Sequence, residues 1–229
     1  MRRLITWAAI AIAFSWLSAA TPRGDEVQEP RLNAAQQVDL QAQLAAGKVR
    51  VVNREATALQ GTRGVHLSQR EGNGIAWVEG SDFGQGTIAL DVRGRDVFQQ
   101  SFVGVAFHRR DGNTYEAVYL RPFNFRATDP VRHMHAVQYI AVPEYDWPKL
   151  RQDFPEEFEN PVDSSIDPTA WVRLRVVVDG QTIHVFVGDS TSPALEVRKL
   201  GALDRGMVGL WTGNGSDGDF ANLRMTPKR

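Results

Sequence analysis

After residue 47 the chain consists mainly of short apolar or alternating apolar and polar runs, separated by Gly, Asp and Asn. A period of two over about four to eight residues predicts a β-strand that buries one face. Twelve runs have this character: residues 48–53, 64–68, 74–79, 86–93, 101–108, 115–121, 135–142, 171–179, 182–187, 194–198, 207–212 and 220–225. Their near-regular spacing predicts an all-β fold, a sandwich of two antiparallel sheets around one core.

Asp-Gly pairs mark two of the turns between neighbouring runs. Asp111-Gly112 lies between the fifth and sixth runs, and Asp179-Gly180 lies between the eighth and ninth. Such pairs readily supply the positive φ angles that tight hairpins need. Both positions are therefore predicted to be β-hairpin turns.

One short helix is predicted ahead of the strands. Residues 33–46 carry Val38, Leu40 and Leu44 among Ala and Gln, and Gly47 follows where a helix commonly ends. We place this helix in an N-terminal segment at residues 21–47, and the β-sandwich at residues 48–229.

The first twenty residues have the three parts of a secretory signal peptide. Arg2 and Arg3 precede an apolar run at 4–17, and Ser18-Ala19-Ala20 supplies small residues for cleavage. The alternative is an uncleaved anchor, but the run is shorter than the about 20 apolar residues that span a bilayer. We expect cleavage, no membrane span afterwards, and a mature protein that is periplasmic or secreted.

Charge and cysteine content exclude several classes of function. The 229 residues include 26 basic and 27 acidic side chains, a formal charge of -1, which does not suit a surface for nucleic-acid phosphates. There is no cysteine. Disulfides, thiolate nucleophiles, Cys-ligated zinc and a lipid-modified cysteine are therefore excluded.

A long proline-rich segment, residues 143–168, interrupts the strand series. It holds five of the eleven prolines and has two basic residues against eight acidic ones, a formal charge of -6. Aromatic residues lie between the acids: Tyr145, Trp147, Phe154 and Phe158. Loops longer than about 12–15 residues in a compact domain are often binding loops or lids. The alternative is a packing flap whose aromatic residues cover a sheet edge, and both interpretations can hold together.

Four stretches of the chain resemble a known superfamily. They are residues 102–125 (FVGVAFHRRDGNTYEAVYLRPFNF), 135–139 (HAVQY), 143–147 (PEYDW) and 209–224 (GLWTGNGSDGDFANLR). Together they resemble bacterial exported proteins of the concanavalin-A-like lectin/glucanase superfamily, especially laminin-G-like jelly rolls and the 3-keto-disaccharide hydrolase group. The resemblance implies a jelly roll whose concave sheet faces carbohydrate. The superfamily hosts lectins, hydrolases and interaction domains, so the resemblance leaves the activity open.

The resemblance also directs attention to the Glu-x-Asp-x-x-Glu motif of glycan-cleaving members. Glu144 and Asp146 begin such a motif, but Lys149 stands where the second glutamate belongs. The motif is absent. Three functions remain: a saccharide-binding domain, a glycoside-acting hydrolase similar to the 3-keto-disaccharide hydrolases, and an interaction domain without a small ligand.

Acid–base chemistry in such a groove would fall to His108, Glu116 and His135. Glu116 and Arg121 lie in one predicted strand with an odd separation, so only one of them can face the groove. The length of the turn near Gly112 decides which of the two lies beside His108. An edge salt bridge between Glu116 and Arg121 is the alternative.

Saccharide contacts are predicted for a further set of side chains. Tyr145 and Trp147 of the proline-rich segment could stack on pyranose rings, whose C–H faces match aromatic planes. A core role for Trp147 is the alternative. Trp211 precedes a Gly-Asn loop that includes Asn214, and Gln138 lies in the strand after Arg121. The predicted ligand-binding residues are Arg121, Gln138, Tyr145, Trp147, Trp211 and Asn214.

Two patterns are compatible with a divalent metal, either a transition metal or calcium. His133 and His135 would share one face if this part is extended, and His108 could be a third ligand. The alternative places His133 in a loop. A second group, Asn214, Asp217 and Asp219, has oxygen ligands suited to calcium, although turn geometry alone also explains these residues. No cofactor is certain.

Overall fold

The computed structural model describes residues 35–110 and 113–228. The predicted signal peptide, residues 21–34 and the Asp111-Gly112 turn lie outside the described residues. Within them the chain is an all-β sandwich of two antiparallel sheets with a few short helices, which confirms the predicted fold class.

One sheet has seven strands, and every pairing in it is antiparallel. In spatial order they are β10 (Glu159–Asn160), β9 (Val137–Val142), β8 (Tyr115–Leu120), β7 (Val103–Arg109), β14 (Met207–Thr212), β5 (Gly74–Val78) and β2 (Val49–Val52). The four strands β5, β7, β8 and β9 are buried over almost their whole length. Loops and helices therefore cover much of the outer face of this sheet.

The second sheet has eight strands. In spatial order they are β13 (Leu195–Arg198), β12 (Thr182–Val187), β11 (Val172–Asp179), β6 (Gly86–Arg93), β15 (Ser216–Pro227), β4 (Gly64–Arg70) and β3 (Ala56–Ala58), with β1 (Gln36–Gln37) paired to β15. Burial alternates strictly along β6 and β12. One face of this sheet thus packs on the core while the other meets solvent.

All twelve predicted strand runs are strands in the structure, with ends that shift by a few residues. The unpredicted strands β1, β3 and β10 are two or three residues long. The eighth and ninth runs form the expected hairpin, but Asp179 pairs with Thr182 and belongs to the strand. Gly180, at φ +61°, therefore forms the turn with Gln181.

The predicted N-terminal helix is present but short. α1 (Leu40–Ala45) begins after Asp39, whose carboxylate accepts a hydrogen bond from the Ala42 amide. Leu40 is buried in the sandwich core, and Gly47 has φ +67° where the helix was predicted to end. This helix therefore packs onto the sandwich.

Three helical segments lie where no helix was predicted. A 3₁₀ helix (Pro122–Asn124) and α2 (Pro130–Met134) lie between β8 and β9, and α3 (Trp147–Asp153) opens the proline-rich segment. Asp129 and Asp146 cap α2 and α3, each with a proline in the first turn. Proline suits the first turn, where an amide donor is not needed.

Candidate functional site

A stacked pair of aromatic rings forms the floor of a cleft on the seven-stranded sheet. Tyr119 on β8 and Trp211 on β14 have ring centroids 4.6 Å apart and an interplanar angle of 27°. Gly104 on β7 lies between them, opposite Tyr119 on one side and Trp211 on the other. A Cβ on Gly104 would lie 2.1 Å from the Val118 carbonyl oxygen. A side chain at position 104 would therefore clash with β8, the strand that carries Tyr119.

Arg121 extends from the end of β8 on the same face as Tyr119. Its Nη2 donates to the Tyr119 hydroxyl (2.9 Å) and to Gln138 Oε1 (2.7 Å), and its Nη1 donates to the His135 carbonyl (3.0 Å). The guanidinium also lies 4.9 Å from the Tyr119 ring centroid. A buried arginine is thus held rigidly against the aromatic floor.

A buried carboxylate, Glu159 on β10, connects the charged groups behind the cleft. Arg151 on α3 donates to it from Nε (2.8 Å) and Nη2 (2.7 Å). His135 Nδ1 lies 2.8 Å from the same carboxylate, and Arg121 Nη1 lies 3.7 Å away. One carboxylate is therefore shared by two guanidinium groups and an imidazole.

Exposed aromatic side chains form the rim. Trp147 is 44% exposed, and the Arg151 guanidinium lies 5.0 Å from its ring centroid. Phe98, in the connection between β6 and β7, is 54% exposed and contacts Phe123 edge to face. The Arg132 guanidinium lies 4.5 Å from the Phe98 ring. Each exposed ring on the rim thus has an arginine against it.

These elements enclose a cleft of about 440 Å³, which we call the Arg121 cleft. Five predicted site residues line it: Arg121, His135, Trp147, Trp211 and Asn214. Gln138 is fully buried beneath Arg121 and supports it through the hydrogen bond from Nη2. Tyr145 lies elsewhere, at a smaller cavity. The structure thus brings together most of the predicted ligand-binding set.

Glu116 and Arg121 point to opposite faces of the sheet, as their odd separation predicted, so only Arg121 faces the Arg121 cleft. Glu116 is 1% exposed and accepts from the Tyr139 hydroxyl, while its other oxygen lies 2.7 Å from His108 Nδ1. The Lys199 ammonium is 3.6 Å away. The edge salt bridge between Glu116 and Arg121 does not form.

A β-bulge places His108 beside Glu116. The register between β7 and β14 shifts so that two residues of β7, Phe107 and His108, oppose one of β14, and His108 has φ +60°. Its Nε2 lies 2.9 Å from the Gly84 carbonyl oxygen. Both ring nitrogens face acceptors within a buried cluster.

The three predicted catalytic residues therefore do not share one groove. His135 lines the Arg121 cleft, while His108 and Glu116 line a smaller cavity of about 210 Å³ together with Tyr145. His108 and Glu116 are each 1% exposed, which suits a structural pair better than a pair that meets substrate.

The extended conformation expected at His133 and His135 is wrong. His133 lies in α2, with Nε2 3.0 Å from the Val162 carbonyl oxygen, and His135 caps the end of that helix and faces Glu159. A shared face for metal binding is therefore not formed. In the described part of the chain, no three or more His, Asp or Glu side chains are arranged to hold a metal ion.

The predicted calcium group is likewise separated. Asn214 accepts from the Gly72 amide (2.6 Å), and Asp217 pairs with Arg95 (2.7 Å). Asp219 accepts from Arg93 Nη2 (2.6 Å). Each polar group has its own partner, so these residues serve the turn and the outer face of the eight-stranded sheet.

Burial also controls protonation in the cleft. Burial lowers the pKa of Arg121, although an arginine stays charged at neutral pH, and burial raises the pKa of Tyr119 to about 12. Burial lowers the pKa of His135; Glu159 opposes this and is outweighed, since Arg151 and Arg121 add to the lowering. His135 is therefore a neutral imidazole at neutral pH.

Sequence reasoning missed Phe98, Arg132 and Arg151 as cleft residues. Arg151 had a usable signal, because it lies four residues after Trp147 in the segment already singled out, a helical spacing. Phe98 and Arg132 lie in connections with no pattern that places them beside β8.

Comparisons with known proteins were made on both sequence and structure. No protein-family model matches the chain, and no curated protein matches its sequence. Similar folds occur among solved structures. The carbohydrate-binding module CBM66 from Bacillus subtilis aligns with a TM-score of 0.57 and 12% identity, over 78% of this chain and 95% of that one.

Two further structures have the same architecture. A Bacillus subtilis protein of unknown function with a galectin-like fold aligns with a TM-score of 0.57 and 13% identity, over 88% of this chain and 100% of that one. A galactohydrolase acting on galactose-4-sulfate and 3,6-anhydrogalactose units aligns with a TM-score of 0.54 and 14% identity, over 93% and 100%. The chain thus has the two-sheet jelly-roll sandwich fold that these structures share.

The helices in the described residues are short. None of them is both long enough and apolar enough to cross a membrane.

Proposed function

We propose that this protein is an exported carbohydrate-binding domain that recognises a saccharide in the Arg121 cleft. The observation that carries the proposal is the composition of the cleft: an exposed Trp147 and Phe98 on the rim, above a buried Arg121 on an aromatic floor. Aromatic rings offer flat apolar surfaces for the C–H faces of a pyranose ring. Rigid polar groups beside them fix the orientation of a ligand.

The polar groups in the cleft match sugar hydroxyls. Arg121 supplies N–H donors, Asp146 supplies a carboxylate acceptor, and Asn214 supplies an amide. Because Arg121 is held by Tyr119, Gln138 and the His135 carbonyl, little side-chain freedom is lost when it binds a ligand.

Glycan-array screening followed by calorimetry with the best ligand tests this proposal. Trp147→Ala is expected to weaken binding about tenfold or more, since exposed aromatic anchors commonly contribute most to such contacts. Trp171→Ala is the matched control, because Trp171 lies outside the cleft beside Arg93. Blank arrays with a well-folded protein would reject the proposal and favour an interaction domain without a small ligand.

A second candidate function, a glycoside-acting hydrolase, is favoured by the pair of His135 and Glu159. A neutral imidazole oriented by a carboxylate can act as a general base, and His135 lines the cleft. Among the described residues Asp146 is the one acidic side chain that lines the cleft, which argues against a mechanism with two carboxylates.

Incubation with 3-keto disaccharides, followed by product analysis, separates the two functions. Turnover that His135→Gln abolishes while saccharide binding persists would establish the hydrolase. Saccharide binding without turnover of any such substrate would reject the hydrolase and retain the proposed carbohydrate-binding domain.

Export is part of the proposal and rests on the pattern of residues 1–20. Expression in a bacterial host is expected to give a periplasmic or secreted protein whose N-terminus is Thr21. Mass spectrometry of the purified protein checks the terminus, and an intact Met1 in the membrane fraction would contradict cleavage.

A further inference from the structure

Arginines dominate the charged residues of the Arg121 cleft. Arg121, Arg132 and Arg151 line it, and Asp146 supplies the one carboxylate that the described residues place in its lining. The chain as a whole has a formal charge of -1, and the proline-rich segment beside the cleft has a formal charge of -6. The basic character of the cleft is therefore local and does not follow from overall composition.

Arg132 has no carboxylate partner among the described residues. Its Nη2 donates to the Phe123 carbonyl (3.1 Å), and its Nε lies 3.4 Å from Asn124 Oδ1. Both acceptors are neutral, so the positive charge of Arg132 is not compensated by an acid. The guanidinium lies against the exposed Phe98 ring at the rim, where a ligand could reach it.

Arg121 and Arg151 are only partly compensated. Both approach the same carboxylate, Glu159, which Arg151 engages with two nitrogen atoms and which lies 3.7 Å from Arg121. The hydrogen bonds that Arg121 makes run to neutral oxygens of Tyr119, Gln138 and His135. With His135 neutral, the three arginines exceed Glu159 and Asp146 by one positive charge.

We propose that the Arg121 cleft selects anionic saccharides, in which a carboxylate or sulfate group on the sugar ring meets the arginines. Guanidinium groups bind carboxylate and sulfate oxygens through charge-assisted hydrogen bonds, which are shorter and stronger than neutral ones. The exposed aromatic rim favours a ring-bearing ligand over a free inorganic anion. This inference rests on the proposed function and names its ligand class.

Calorimetric titration with matched pairs of ligands tests the proposal on the full chain. The first pair is tetragalacturonate and its methyl ester, which differ in the carboxylate charge. The second pair is a sulfated and an unsulfated dextran oligosaccharide of equal length. At least one anionic member is expected to bind about tenfold more tightly than its neutral counterpart, and to weaken as salt is added. The pair that discriminates identifies the anionic group.

Two arginine variants then locate the selectivity. Arg132→Gln is expected to weaken the anionic ligand about fivefold or more and to weaken the neutral ligand by a clearly smaller factor, because it removes the uncompensated charge. Arg224→Gln is the matched control, since Arg224 is exposed on β15 of the other sheet. Circular dichroism verifies that both variants are folded.

The outcomes separate this inference from the proposed function. Equal binding of neutral and anionic members in both pairs, with loss in Trp147→Ala, would overturn the selectivity and retain the saccharide site. Equal losses in Arg132→Gln and Arg224→Gln would also overturn it, because the effect would then reflect net charge. Absence of saccharide binding by every probe would reject both.

Discussion

The buried carboxylate of Glu116 has a structural role in the sandwich. Glu116 lies inside the sandwich, where a lone carboxylate is very costly, and it is matched there by His108, Lys199 and the Tyr139 hydroxyl. The Tyr139 oxygen in turn accepts from the Leu200 amide (2.9 Å). This cluster ties the seven-stranded sheet to the connection after β13.

Loss of the Glu116 carboxylate should therefore destabilise the fold. Glu116→Ala is expected to lower the free energy of unfolding by about 3–5 kcal/mol, because it removes the buried carboxylate that His108, Lys199 and Tyr139 contact. Tyr139→Phe should cost less, about 1–3 kcal/mol, since one hydrogen-bonding group is lost. Urea denaturation measures both, with the exposed Glu144→Ala as control. A stable Glu116→Ala protein that loses turnover would restore a catalytic role.

His135 gives the cleft a defined pH response. Burial lowers its folded-state pKa below the value of about 6.5 in an unfolded chain. Between the two pKa values the unfolded chain binds more protons, so this stabilising contribution is complete above about pH 6.5 and is lost as the pH falls. Urea unfolding midpoints measured from pH 8 down to pH 5 should fall less steeply for His135→Gln than for the unmutated protein. An NMR titration midpoint above 6.5 for the imidazole would contradict this.

At the scale of elements, the proline-rich segment is both a flap and a site wall. Phe158 is 2% exposed and packs against Tyr139 with a centroid distance of 5.9 Å, while Trp147 on α3 is exposed at the cleft. The two interpretations that the sequence left open thus apply to different residues of one segment. Phe158, and not Trp147, is the aromatic residue of this segment that packs in the core.

Paired variants in this segment should separate stability from binding. Phe158→Ala is expected to lower the free energy of unfolding by about 3–5 kcal/mol, because it leaves a cavity in the core. Trp147→Ala should change it by no more than about 0.5 kcal/mol, as for other exposed residues. Thermal and urea unfolding of the two variants measure this. Similar losses in both would show that Trp147 also anchors the flap.

The elements that the sequence predicted correctly are those with a strong local signal. Alternation along β6 and β12 is explicit because one face meets the core and the other meets water. Helix α3 was missed because the prolines of residues 143–168 favoured a loop, and α2 was missed because residues 133–135 were considered as an extended or loop segment. An aspartate before each helix nevertheless marks its start.

At the scale of the whole molecule, both sheets share one continuous hydrophobic core. Apolar side chains of the seven-stranded sheet, such as Val105 and Leu210, join those of the eight-stranded sheet, such as Leu90 and Val176, in one cluster. The chain has no cysteine, so this core and the buried polar clusters must stabilise the fold without disulfides.

A shared core predicts a single cooperative unfolding transition. The buried Trp77 and Trp211 report by fluorescence on the seven-stranded sheet, whereas far-UV circular dichroism reports on both sheets. The two probes should give coincident urea midpoints, and a reducing agent should leave them unchanged. Separate midpoints would indicate that the sheets unfold independently.

Local alternation along the chain was sufficient to predict the strand series and the two-sheet sandwich, and residue chemistry singled out five residues that line the cleft: Arg121, His135, Trp147, Trp211 and Asn214. The tertiary structure decided which residues meet. The bulge at His108 buried a predicted catalytic residue with Glu116, and helix α2 separated His133 from His135. Arg132 and Phe98 came to the cleft from distant connections. Which residues come into contact depends on strand register, bulges and loop paths, and these are set by interactions between residues far apart in the chain.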